Sequence, residues 1–186
     1  KDFSRLDFLK GSGALAAVAL AGCRCPFGDG RAKSAVQLYS IRDYIDRVGI
    51  ARALADVAKI GYAGVEVAGY DATARTFYKV KAPEMKRLLE DAGLKLCGMH
   101  ISRSLLEPDK IATICDYART CGCTTVICPG SGNMPPGLNW GNHHNCRDMA
   151  IPGLDDHVKM LCDFYNRAAV DAKRYGCRVG IHNHQW

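Results

Sequence analysis

From residue 35 to the end of the chain, five short runs with strand character alternate with longer runs at helical spacing, and each helical run stops at a glycine. Residues 35–40 (Ala-Val-Gln-Leu-Tyr-Ser) alternate and are short, as a strand requires. Ile50, Leu54, Val57 and Ala58 follow at helical spacing up to Gly61. Residues 64–68 (Gly-Val-Glu-Val-Ala) form the second strand run. Pro83 then sits where a first helical turn accepts it, ahead of Met85, Leu88, Leu89, Ala92 and the stop at Gly93. Residues 94–100 predict the third strand, and Pro108 opens a helix carrying Ile111, Ile114, Cys115 and Ala118 that ends near Gly122. Residues 124–128 predict the fourth strand. A long polar loop, 131–153, separates it from a helix with Val158, Leu161, Cys162, Tyr165, Ala169 and Ala172, stopped at Gly176. Residues 178–184 predict the fifth strand.

Strands separated by helices of this length pair in parallel through right-handed crossovers. Two architectures satisfy that rule, an open doubly wound sheet and a (β/α)8 barrel. A dinucleotide-binding sheet carries Gly-x-Gly-x-x-Gly after its first strand, whereas this chain has Tyr39-Ser-Ile-Arg-Asp43 there, with no glycine. The groups at the strand ends favour the barrel.

Gln37 and Tyr39 share a face of the first strand, Glu66 lies on the second, His100 ends the third, and His182 and His184 end the fifth. A glycine stands two residues before Glu66, His100 and His182, at Gly64, Gly98 and Gly180. Residues two apart point the same way, so each glycine thins the layer beneath a polar group. Barrel active sites are assembled at this end, from several strands. Each residue has an ordinary alternative: Glu66 as an ion-paired interior carboxylate, His100 as a satisfied core imidazole. Two imidazoles on one buried face, His182 and His184, need partners and are harder to place in a plain core. In the long loop, His143 and His144 read as solvated, while residues 134–137 (Met-Pro-Pro-Gly) and Trp140 shape a lid or pocket rim. His157 reads as surface, and Arg42-Asp43 reads equally as a substrate contact or a local ion pair.

The 186 residues, 48% hydrophobic and 24% charged, suffice for one domain with a real core. The net charge of +6 is dispersed, without a basic run or aromatic interleaving, so no nucleic-acid partner is expected. Ten cysteines include two Cys-x-Cys pairs but no Cys-x-x-Cys, and none has zinc-site spacing. Cys97, Cys115, Cys128, Cys162 and Cys177 fall on apolar positions and are expected to act as small buried hydrophobes rather than as a disulfide framework.

The first 34 residues read as an address. A charged stretch, 1–10, precedes an almost wholly apolar run, 13–22, too short to span a bilayer and proportioned like a signal-peptide core. Leu20-Ala21-Gly22-Cys23 resembles a lipoprotein lipobox, which implies lipidation at Cys23. Residues 4–10 look like a twin-arginine motif, with Leu6 in place of the second arginine. We therefore expect a signal peptide over 1–23, a linker over 24–34 and the N-terminal part of a barrel domain over 35–186. Export to the cell envelope or periplasm is expected, with the membrane touched only through a lipid anchor at Cys23, and a cytoplasmic location if the signal is not functional.

Residues 36–43 (Val-Gln-Leu-Tyr-Ser-Ile-Arg-Asp), 61–70 (Gly-Tyr-Ala-Gly-Val-Glu-Val-Ala-Gly-Tyr), the strand ending in His100, and 180–184 (Gly-Ile-His-Asn-His) together resemble the sugar phosphate isomerase/epimerase group of xylose isomerase-like TIM barrels. The resemblance covers roughly residues 35–186. It implies a (β/α)8 barrel, of which this chain would supply about the first five βα units, acting on sugars or polyols with a divalent metal (Mn, Mg, Zn or Co). Many relatives place a metal-ligating Glu where His182 stands, and their other ligands lie on strands six to eight. On this reading Glu66 and His100 are catalytic, Gln37, Tyr39 and Trp140 bind substrate, and His182 and His184 hold metal. The expected reaction moves a proton beside a carbonyl; a keto-sugar lyase or hydratase and a non-catalytic carbohydrate-binding lipoprotein are the alternatives. The fragment alone is expected to be inactive.

Overall fold

A computed structural model of the chain describes residues 33–129 and 153–182. The described residues from 34 onward form one compact unit. Its strands are β1 (Ala35–Gln37), β2 (Gly64–Ala68), β3 (Lys95–His100), β4 (Thr125–Pro129) and β5 (Arg178–His182). Its helices are α1 (Arg42–Val48), α2 (Ile50–Ile60), α3 (Ala82–Ala92), α4 (Ile111–Thr120) and α5 (Leu154–Arg174). All neighbouring strands pair in parallel, in the spatial order β1-β2-β3-β4-β5. That order separates the two candidate architectures. A doubly wound sheet reverses direction at a switch point, whereas each crossover here advances to the next strand, as in a barrel wall.

The helices cover the outer face. Ile50, Ala53, Leu54 and Val57 of α2, Met85 and Leu89 of α3, and Ile111, Ile114, Cys115 and Ala118 of α4 are buried against Val65, Val67, Leu96, Met99 and Val126. Gly61 (φ 109°) and Gly93 (φ 68°) end α2 and α3 in the left-handed region, which a side chain would strain. Pro83 occupies the first turn of α3.

Four expectations need correction. The first strand stops at Gln37, and Leu38–Ile41 turn into a 3-10 helix leading to α1, an element the periodicity does not predict. Tyr39 is thereby carried off the strand face that holds Gln37: it is 55% exposed, with the Arg42 guanidinium 4.5 Å above its ring. On α5 the inward residues are Tyr165, Ala168 and Ala172, while Ala169 and Val158 are exposed. Cys97 and Cys162 are exposed, but Cys115, Cys128 and Cys177 are buried as expected, together with Cys121 and Cys123. The cause at Cys97 is a register shift between Val65 and Glu66, after which Gly98, not Cys97, pairs with Glu66. His157 is half-buried.

Candidate active site

The register of the sheet assembles the site. Gln37 pairs with Glu66 across β1 and β2, and Ala68 with His100 across β2 and β3. His100 pairs with Ile127, and His182 with Pro129, at the carboxyl ends of β4 and β5. The end of β4 is tied from outside, where the Tyr165 hydroxyl of α5 donates to the Pro129 carbonyl at 3.2 Å.

Gln37 Nε2 donates to Glu66 Oε1 and lies 3.0 Å from His100 Nδ1. His100 Nδ1 is itself 3.4 Å from Glu66 Oε1. The amide NH2 offers two protons and so bridges two acceptors that would otherwise repel. In this arrangement a neutral His100 carries its proton on Nε2, leaving Nδ1 to accept from Gln37. When His100 is protonated, Nδ1–H can turn to Glu66 as a charge-assisted donor. The His182 ring lies 5.0 Å from that of His100, tilted by 55°. The side chains of Glu66 and His100 keep 21% and 17% exposure, so both are sheltered without being sealed from a small molecule.

Glycine makes the room, though sideways rather than only from below. A Cβ on Gly98 would stand 2.7 Å from Ile127 Cδ1 and 3.4 Å from Glu66 Oε2, so Gly98 clears space for the carboxylate of the neighbouring strand. A Cβ on Gly64 would collide with Cys97 Sγ and stand 2.8 Å from the Lys95 carbonyl, so that space is filled by Cys97. Gly180 has only ordinary contacts around its missing Cβ, at 3.7 Å and beyond.

The structure thus brings Gln37, Glu66, His100 and His182 together and leaves Tyr39 outside. Trp140, His184, His143, His144 and Cys23 lie outside the described residues. Sequence reasoning passed over Tyr78, on the link from β2 to α3. Its hydroxyl is buried without a hydrogen-bond partner of normal geometry. Burial chiefly pushes this phenol up to about 12; the Ala68 backbone N–H pulls the other way, and the Asp46 and Glu66 carboxylates add to the rise. Its backbone is left-handed (φ 51°), as are Arg75 and Lys79, three non-glycine residues in one short link. A reciprocal pair of backbone hydrogen bonds between Phe77 and Val80, and the tilted and edge-to-face rings of Tyr70, Phe77 and Tyr117, hold that link. No sequence pattern marks such a residue.

Among the described residues, no three His, Cys, Asp or Glu side chains converge as a metal site. None of the described helices is long and apolar enough to cross a membrane.

A parallel wall with an acid, an amide and two imidazoles at the carboxyl ends of its strands is the pattern of the barrel proteins whose sites lie at that rim. The chain belongs to the xylose isomerase-like TIM barrel family, whose model matches residues 54–186. Among solved structures it is similar to two sugar phosphate isomerase/epimerases from Parabacteroides distasonis. One is 21% identical at a TM-score of 0.61, over 84% of this chain and 54% of that one. The other is 22% identical at 0.62, over 82% and 55%. A family 2 AP endonuclease from Brucella melitensis matches at 14% identity and a TM-score of 0.56, over 81% and 55%. At these identities the likeness is one of fold. The chain spans about half the length of these structures. A comparison with curated proteins finds no match.

Proposed function

We propose that the protein to which this chain contributes is a sugar isomerase or epimerase that moves a proton on the carbon beside a carbonyl of a sugar or polyol. The observation that carries this reading is the Gln37–Glu66–His100 hydrogen-bonded group at the strand ends, with His182 against it. Glu66, positioned by the Gln37 amide, is placed to take a proton from carbon. His100, with Nε2–H facing away from Gln37, is placed to donate to the oxygen on which negative charge develops. Gln37 fixes both partners and His182 supplies a second donor. A divalent cation belongs to the proposal through His182 and His184; the described residues do not complete a ligand set, and no step here runs through it. The location at the cell envelope, with a lipid anchor at Cys23, is likewise part of the proposal, resting on the sequence of residues 1–23.

The test is solvent exchange. The full-length protein is incubated in D2O with a panel of ketoses, aldoses and their phosphates, and the recovered sugars are weighed by mass spectrometry. A gain of deuterium beside the carbonyl, with the isomer or epimer appearing, is the expected result. Loss of water from the sugar would make it a lyase or hydratase instead. Saturable sugar binding with neither exchange nor product would leave only a binding protein.

A further inference from the structure

We propose that the amino-end rim of the strand wall docks on a membrane surface rich in anionic lipid. The lysines and arginines are dispersed along the sequence, but the parallel topology gathers several of them at one end. Every strand starts there, and every crossover returns there before the next strand. Lys33 stands two residues before β1, Lys95 is the first residue of β3, and Arg178 is the first of β5. Lys59 lies in the last turn of α2 and Lys173 in the last turn of α5. All five are exposed. A helix dipole favours cations in a last turn, which accounts for Lys59 and Lys173. Lys33, Lys95 and Arg178 sit at strand starts, where no such dipole acts.

The acids nearest this end are mostly engaged already. Asp56 pairs with Arg52 at 2.7 Å, Asp91 with Arg87 at 2.9 Å, Asp171 with Arg174 at 3.2 Å, and Glu90 lies 3.9 Å from Lys86. Asp116 stands three residues before Arg119, whose guanidinium donates to the Tyr175 carbonyl at 3.4 Å. At the carboxyl end the helix starts are acidic instead, with Asp43, Glu84, Asp155 and Asp156 in first turns. Two exposed apolar side chains adjoin the cations: Ile60, 75% exposed, follows Lys59, and Tyr175, 39% exposed, follows Arg174. Cations beside apolar groups suit a headgroup boundary, where the charge meets phosphate and the apolar group enters the acyl edge. A nucleic-acid backbone would use the cations but leave Ile60 in water.

The chain also enters β1 from this end. Cys23, the last residue of the lipobox resemblance, lies ten residues before Lys33, a span of at most roughly 35 Å when fully extended. A lipid on Cys23 would hold this rim within reach of the bilayer. Gln37, Glu66 and His100, at the opposite ends of the strands, would then face the aqueous side, open to a small substrate. That orientation rests on the anchor proposed above; the charge argument does not.

The test uses full-length protein carrying Cys23→Ser, which takes no lipid, in flotation with vesicles of phosphatidylcholine alone or mixed with phosphatidylglycerol. Added phosphatidylglycerol should strengthen binding and added salt should weaken it. Lys59→Gln, Lys95→Gln and Lys173→Gln together should weaken binding to the mixed vesicles by about 100-fold, at roughly fivefold per charge. The control triple Lys79→Gln, Lys81→Gln and Lys110→Gln removes the same charge at the carboxyl end and should change binding by less than about twofold. Thermal melts matching the unaltered protein check the folding of both triples, and the lipid and salt dependence needs neither of them. Equal losses in the two triples would reduce the effect to net charge and overturn the proposal. So would binding that ignores phosphatidylglycerol, or capture of a nucleic-acid duplex in place of the vesicles. Because no lipid is attached, the outcome stands whether or not Cys23 is modified in the cell and whether or not the sugar chemistry is correct.

Discussion

At the carboxyl ends of the strands, Gln37, Glu66, His100 and His182 are polar, partly open and bonded to one another. At the amino ends, Cys121, Cys123 and Cys177 flank the starts of β4 and β5, buried, with their sulfurs turned to backbone carbonyls. The two ends belong to the same strands, yet one spends polar groups where an apolar core would be more stable and the other packs small soft side chains without charge. That division follows from barrel geometry, in which one rim is free to carry chemistry because the other carries packing. It also means that substitutions at the two ends should separate activity from stability.

The largest effect is expected at the rim. Glu66→Gln keeps the acceptor for Gln37 but removes the base, and turnover should fall about 100- to 10,000-fold with little change in denaturation midpoint. Phe77→Ala empties the aromatic cluster under the β2–α3 link and should cost ~3–5 kcal/mol in chemical denaturation. The glycines then sharpen the contrast. Gly98→Ala pushes on Ile127 and Glu66, and should lower turnover by roughly tenfold through misplacement of the carboxylate. Gly64→Ala presses on Cys97 and the Lys95 backbone, away from the reacting groups, and should cost ~1–3 kcal/mol of stability with turnover per folded molecule unchanged. Equal activity losses in both variants would break the comparison.

A titration probes the buried thiols. Burial raises the Cys121 thiol to about 11 and the Cys115 thiol to about 12, from an ordinary 9.0. Above pH 9 the unfolded chain releases protons that the folded chain keeps, so stability falls as pH rises from about 9 toward 12. Urea midpoints measured from pH 7 to 11 should be flat at first and then decline. Cys121→Ala should soften the decline. The smallest effect is expected at Gly180→Ala, whose new methyl finds ordinary contacts and should change stability by less than about 1 kcal/mol.

The order of elements was legible in the sequence because each helix ends at a glycine and each strand is short and apolar. Glu66 and His100 were legible because a polar residue two places after a glycine, on an otherwise apolar strand, has few structural reasons to be there. Tyr39 was misplaced because strand alternation cannot say where a strand stops, and here backbone pairing ends at Gln37 before the 3-10 turn begins. Cys97 was misplaced because a register shift changes which residues face inward and leaves no mark in the pattern. Tyr78 was missed because its place depends on three left-handed residues that no spacing rule anticipates.

The claim beneath all of this is that Glu66 and His100 act as one unit at a shared rim. It is tested most directly by a double-mutant cycle, Glu66→Gln and His100→Ala singly and together, reading deuterium exchange by the full-length protein. A double variant no slower than the worse single one is the expected outcome, since groups that work as a unit are not additive. Losses that multiply independently, or single variants that exchange like the unaltered protein, would contradict it.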